Sequence, residues 1–268
     1  MRFASLSRQV NDLDLGVRLL GLSTIAYGLT CFLQRDFAIY WQPVPDGLPF
    51  RAPLAFLSAG LLVLSGAGLL AERTRRVAAL TIIGLFALYA LCYAPRVLIA
   101  PLRIGGVWLG ICEQLAVIVG AATIWIRASP RLADQRERLA LAVRLTYGVC
   151  SIIFGVSHIE SLRATITLIP DWAPGGPVFW AVATGLGHVA VGIALITDRL
   201  AVPATRIGAL MYLSFALLVW TPGAVTHPQQ WLRWAGIAIS LVMMSALWLV
   251  GDYLAPHTRD PAERLDAA

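Results

Sequence analysis

The chain has 268 residues, of which 58% are hydrophobic and 13% charged, with a mean hydropathy of +0.74. Soluble domains carry about twice that share of charge, so this balance excludes a water-soluble globular protein and calls for a bilayer as solvent. The net charge of +6 and pI near 9.5 then reflect membrane topology and contact with anionic lipid, and argue against a nucleic-acid partner.

A helix needs roughly 20 apolar residues to cross the hydrocarbon core. Eight such segments are predicted in chain order, at about 15–33, 53–71, 77–95, 106–126, 140–159, 178–197, 205–222 and 232–252. The N-terminal MRFASLSRQVNDLD lacks the apolar stretch and small-residue cleavage site of a signal peptide. All 21 basic residues are arginine. With the N-terminus inside, arginines 2, 8, 18, 73, 75, 76, 127, 131, 136, 138, 144, 199, 206, 259 and 264 fall on the inner side. Only arginines 35, 51, 96, 103, 163 and 233 fall outside, so the positive-inside rule predicts cytoplasmic termini, in the inner membrane of a bacterial cell.

The chain also reads twice. A block ending YGLTCFL (Tyr27 to Leu33) returns about 127 residues later as FGVSHIE (Phe154 to Glu160). Each copy continues with a Trp- and Pro-rich loop, WQPVPDGLPF (Trp41 to Phe50) and IPDWAPGGPVFW (Ile169 to Trp180). Next comes a glycine-spaced span in which Gly66 stands opposite Gly192, and the third span ends LCYAPRVL or LVWTPGAV. Four spans per copy is an even number, so both copies enter the membrane in the same orientation. The expected fold is all-α: eight transmembrane helices forming two parallel-oriented four-helix bundles, related by a pseudo-twofold axis along the membrane normal. Residues 1–127 are the first module, 128–139 a cytoplasmic linker, 140–254 the second module and 255–268 a polar cytoplasmic tail.

Most of the nine tryptophans fall near span ends, where indole favours the headgroup depth. Trp41 and Trp172 recur at matching places in the long loops. Tyr93 and Trp220 match each other just before Pro95 and Pro222, where a helix loses a backbone bond, and their rings are placed to line the outer mouth of each bundle or simply to pack there.

Ionisable side chains inside spans cost a few kcal/mol and usually face a bundle interior or cavity. His158 ends the fifth span, with Glu160 about 200° away around a continuing helix. His188 lies midway along the sixth span among Gly185, Gly187 and Gly192, and Glu113 lies about two turns into the fourth. An outward-opening cavity that gathers His158, Glu113 and His188 at increasing depth would provide an imidazole to hydrogen-bond a carbonyl and a carboxylate to relay the proton. Glu160, Trp172, Trp220 and Tyr93 are candidate substrate-binding residues at its mouth. The plain alternative is helix–helix hydrogen bonding by the same groups. No pair of His, Glu or Cys has the i, i+3 or i, i+4 spacing of metal ligands, so no metal site is predicted. Cys31, Cys92, Cys112 and Cys150 contain no C-x-x-C pair, and no dithiol centre is read from their spacing.

GVSHIESL (Gly155 to Leu162), followed by IPDWAPGGPVFWAVATGLGHVAVGIALI (Ile169 to Ile196), resembles the DoxX family of four-helix membrane proteins. In that family the first helix tends to end in Gly-x-x-His, ahead of a Pro- and Trp-containing loop and a second helix with a polar residue between glycines. The first copy resembles it less, having Cys31 in place of His158 and Leu62 in place of His188. The resemblance implies redox chemistry at the membrane: relatives include a thiosulfate:quinone oxidoreductase subunit, a methylamine-utilisation maturation factor and partners of thiol and superoxide enzymes. It suggests an oxidoreductase subunit with a non-covalent quinone, a soluble or membrane redox partner, and a site confined to the second module. A non-catalytic scaffold for a partner enzyme and a small-solute transporter are the alternatives.

Overall fold

Among the described residues eight helical stretches are long and apolar enough to cross a membrane; seven have bounds within about four residues of the predicted spans, and the fifth, Pro130–Glu160, starts ten residues earlier. The structure, a computed structural model, describes residues 2–255, with side chains from residue 15 onward. Of the tail expected from residue 255, only Ala255 is among the described residues; His257, Arg259 and Arg264 lie outside them. The helices are α1 (Arg2–Gln34), α2 (Arg51–Leu69), α3 (Arg75–Leu91), α4 (Ala94–Ile99), α5 (Leu109–Arg127), α6 (Arg136–Glu160), α7 (Leu162–Ile166), α8 (Gly176–Thr197), α9 (Ala201–Ser214), α10 (Thr221–Thr226) and α11 (Trp231–Leu254). Short π-helical turns at Ile104–Trp108 and Phe215–Trp220 join α4 to α5 and α9 to α10. No strand occurs among the described residues. The fifth helix starts earlier than its apolar residues suggested, because Arg136–Arg138 are good helix formers and Glu137 in the first turn suits the helix dipole.

The helices pack in series. α1 lies along α2 and α11, α2 along α3, α3 along α5, α5 along α6 and α11, α6 along α8, α8 along α9, and α9 along α11. In the second set of four (α6, α8, α9 and α11), α11 returns to α6, and α11 also packs against α1 and α5 of the first set. α11 is accordingly the most enclosed span, 78% of its apolar window being buried.

Lipid tails provide no hydrophobic drive for one helix to leave them for another, so close approach depends on small residues. The tightest crossings repeat. A Cβ on Gly66 of α2 would stand 2.6 Å from the Gly21 carbonyl oxygen of α1, and one on Gly192 of α8 would stand 2.6 Å from the Gly148 oxygen of α6. Two turns further along each helix pair, Gly28 meets Ala59 and Gly155 meets Gly185. Where α5 crosses α11, a Cβ on Gly120 would lie 2.5 Å from that of Ala246.

Hydroxyls inside the helices bond back to their own turn, as Thr24 to the Leu20 carbonyl at 2.7 Å and Ser157 to Ile153 at 2.7 Å, which satisfies them within the helix. At the face where the chain enters and leaves the bundle, buried Asp252 pairs with Arg206, whose guanidinium lies 4.2 Å over the Trp248 ring, and Arg127 donates to the Asp252 carbonyl. Arg144 of α6 reaches Asp198 at 3.2 Å. The opposite end, carrying the 35–50 and 161–175 loops, is here called the loop face.

Candidate functional site

His158 and His188 come together. Their rings lie 5.2 Å apart, joined across the α6–α8 crossing that Gly155 and Gly185 bring close. Phe154, one turn before His158 on α6, sets its ring edge-on to His188 at 5.6 Å. From α9 and the π turn, Tyr212 at 5.3 Å and Phe215 at 6.0 Å complete the wall. Phe215 also stacks on His158 at 6.4 Å. π turns shift the following side chains around a helix and recur at functional sites. Here the turn begins at Phe215, and the carbonyl of Ala216 is satisfied by the Thr221 hydroxyl at 2.8 Å.

The polar groups in this chamber are unevenly satisfied. His158 Nδ1 lies 2.8 Å from the Phe154 carbonyl oxygen. A carbonyl only accepts, so Nδ1 carries the proton and Nε2 is left as an acceptor. His188 is 2% exposed, and among the described residues neither of its ring nitrogens has a hydrogen-bond partner. The Tyr147 and Tyr212 hydroxyls are both buried, and neither has a hydrogen-bond partner among the described residues. A buried polar group left without a partner costs about 1–3 kcal/mol. Two such hydroxyls beside two imidazoles in one aromatic cluster are the polar groups a flat, polar ligand could engage.

The two modules differ at their loop-face mouths. In the first, Phe37, Ala38, Trp41, Gln42 and Val44 fold down into the bundle. Arg51 holds that loop by pairing with Asp36 at 2.9 Å, donating to the Val44 carbonyl at 2.7 Å and lying over the Phe37 ring. Gln42 Oε1 accepts from the Ala38 amide at 2.8 Å and from the Cys31 thiol at 3.5 Å. In the second module no residue from Ser161 to Gly175 is buried. Trp41 is 9% exposed and Trp172 61%. The loops that matched in sequence therefore lie differently: one packs into its bundle and the other stays at the surface.

Glu113 does not join the histidines. Its Oε1 accepts from the Trp41 indole N–H at 3.3 Å, and Gln114 Nε2 donates to the Trp41 carbonyl at 2.9 Å. The Trp41 ring meets Trp220 edge-on at 6.0 Å, so this carboxyl belongs to the latch on the first module's loop. The expected gathering of His158, Glu113 and His188 is replaced by two sites, because α5 turns this residue toward the 37–44 loop. Tyr93 is buried against Gly110 and donates to the Tyr40 carbonyl at 3.1 Å, again supporting that loop. Trp220 packs on Gly236 in the matching way. Glu160 accepts from the Gly105 amide and ties the end of α6 to the π turn that opens α5. Trp172, in the 161–175 loop, is exposed, as is Glu160.

Tyr212, Phe215, Phe154 and Tyr147 were not singled out from sequence. The signal was present in the repeat: Tyr147 stands where the first module has Leu20 and Tyr212 where it has Leu85, each an aromatic hydroxyl in place of an aliphatic side chain. Among the described residues no group of three His, Cys, Asp or Glu gathers as a metal site would need.

Fold and site together define a polytopic helical membrane protein with a buried imidazole–aromatic chamber in its second half. The DoxX family model matches residues 139–227, which run from α6 through α10 and include every wall of that chamber, so this segment is a DoxX domain. No curated protein and no solved structure matches the chain.

Proposed function

We propose that the protein is a redox-linked subunit that binds a quinone in the second module, in the chamber of Phe154, His158, His188, Tyr212 and Phe215 open toward the loop face. The observation that carries this is His188: a buried imidazole without a hydrogen-bond partner, beside two tyrosine hydroxyls in the same condition, inside aromatic walls. A flat ring with oxygens at its rim fits that set, since Phe215 and Phe154 offer faces and edges to the ring while His188 and Tyr212 offer hydrogen bonds. Bound there, a quinone supplies a couple of two electrons and two protons. His158, at the chamber's loop-face end with Nε2 free to accept, is the group that passes protons between the chamber and the mouth. Trp172 covers the mouth when a ligand is present.

The modules are read as copies of one ancestor, 1–127 and 140–254, joined by the linker 128–139. The matched crossings at Gly21–Gly66 and Gly148–Gly192 support this, and the Gly120–Ala246 contact marks where the pseudo-twofold axis would pass between α5 and α11. The arginine bias supports cytoplasmic termini and a chamber that opens away from the cytoplasm, in a bacterial inner membrane. A redox partner of the subunit would dock at that open mouth.

The test is solvent extraction of protein purified in mild detergent, followed by mass spectrometry and absorbance of the extract. Near-stoichiometric quinone, absent from a His188→Leu preparation, is the expected result. Quinone at equal levels in both preparations, or in neither under several lipid conditions, would remove the proposal and favour a scaffold.

A further inference from the structure

The depth of His188 limits how a ligand can sit in the chamber. At 1.5 Å per residue it lies about 18 Å in from the start of α8 at Gly176 and about 14 Å from the end at Thr197, near the centre of a hydrocarbon layer roughly 30 Å thick. A ligand seated there with an apolar tail cannot run that tail out through the loop-face mouth without carrying hydrocarbon into water. Such a tail needs a way between helices into lipid.

The helix pairs around the chamber are closed unevenly. α6 and α8 meet backbone to backbone: a Cβ on Gly155 would strike the Gly185 carbonyl oxygen, and one on Gly192 the Gly148 oxygen. α9 meets α11 at Gly208, where a Cβ would stand 2.6 Å from Leu247 Cδ2. α8 and α9 meet through side-chain ends. A Cβ on Gly187 would lie 3.2 Å from Met211 Sδ, and one turn toward the inner end Gly208 faces the methyl groups of Val191. Gly187 and Met211 immediately precede His188 and Tyr212, so this seam runs beside the chamber. Both are half-buried, and the residues before them, Leu186 and Leu210, are 60% and 58% exposed, which sets the seam at the lipid-facing surface. One turn toward the loop face, the Thr184 hydroxyl donates to the Trp180 carbonyl at 2.7 Å and the Ser214 hydroxyl to the Met211 carbonyl at 2.7 Å. Their polar atoms are thereby satisfied within their own helices, and the seam presents hydrocarbon. Methionine is unbranched and adapts its shape, and opposite a glycine it has room to swing. At the matching places the first module carries Leu61 and Gly84, a branched side chain where the second has none.

We infer that the α8–α9 seam is the lipid-side entrance to the chamber, with Met211 as its gate, and that it holds the isoprenoid tail of a membrane quinone whose head group reaches His188 and Tyr212. This assignment rests on the quinone reading of the chamber and names the class of quinone: one with a tail of isoprene units, drawn from the bilayer and not from water. Head and tail are then served by different openings. Protons pass His158 to the loop face, while the tail stays in lipid.

The experiment uses the full chain in lipid nanodiscs with two probes, a ubiquinone head group without a tail and its homologue with two isoprene units, each followed by tryptophan quenching. Gly187→Leu fills the seam and not the chamber, so it should weaken the tailed probe by about tenfold and leave the tail-less probe within about twofold of wild type. Met211→Ala should raise the association rate of the tailed probe by about threefold or more and leave that of the tail-less probe unchanged. Equal effects on the two probes, or no effect on either, overturn the entrance and leave the chamber reading intact. A tailed quinone with a diazirine at the tail end gives a wild-type reading that needs no variant to fold. Label on the peptides that contain Leu186, Leu210 and Met211 is expected, and label confined to the 161–175 loop overturns the entrance. Failure of both probes to bind wild type overturns the chamber reading and the entrance with it.

Discussion

Replacing His188 by leucine separates binding from stability, because the first module already places a fully buried leucine, Leu62, at the matching position. The substitution removes imidazole contacts with four rings, His158, Phe154, Tyr212 and Phe215, at 5.2 to 6.0 Å. Ring pairs of this kind contribute about 0.5–1.5 kcal/mol each beyond burial. Against that loss, leucine removes a buried imidazole without a hydrogen-bond partner, a relief of about 1–3 kcal/mol, and fills similar volume. The four pairs together amount to about 2–6 kcal/mol, which exceeds the relief, so the stability should fall by about 1–3 kcal/mol while the fold is kept. Binding has no such compensation. A ligand oxygen desolvated in the chamber loses its donor at a cost of about 1–3 kcal/mol, which is roughly 5- to 150-fold in Kd. Titration of a short-chain quinone into nanodisc-embedded protein, read by tryptophan quenching, gives the affinity, and a thermal melt of the same sample gives the stability. An affinity within twofold of wild type, with the fold kept, would refute the role assigned to His188.

Three further outcomes follow from particular contacts. Gly192→Leu forces a side chain into the 2.6 Å approach to the Gly148 oxygen, and should lower stability by about 1–3 kcal/mol in a denaturant titration in detergent; an unchanged midpoint would mean the α6–α8 crossing is looser than described. Glu113→Leu removes the acceptor for Trp41, so the 37–44 loop should become more open to limited proteolysis while quinone affinity stays within twofold; loss of affinity would return Glu113 to the His chamber. Arg206→Ala strips buried Asp252 of one partner while Arg127 still donates to its backbone, and should cost about 2 kcal/mol in the same titration; a cost under 0.5 kcal/mol would show that the pair is dispensable.

The spans were readable because bilayer thickness sets one length for every crossing helix, and composition alone marks it. The chamber was readable only in part. His158 and His188 stood out because ionisable residues are rare in spans, but depth along a helix says nothing about the direction a side chain takes around it. Glu113 was grouped with the histidines on depth, and α5 turns it to Trp41 instead. Trp41 and Trp172 match in sequence yet lie buried and exposed, a difference set by the Arg51 contacts that hold the first loop down and that the second module lacks.

The central claim is that the second-module chamber holds the quinone, and photo-crosslinking with an azido-quinone in nanodiscs tests it most directly. The account predicts label on the α8 and α9 peptides that contain His188 and Tyr212 to Phe215, suppressed by unlabelled quinone and by His188→Leu. Label on α2 or α3, or label that unlabelled quinone does not displace, would contradict it.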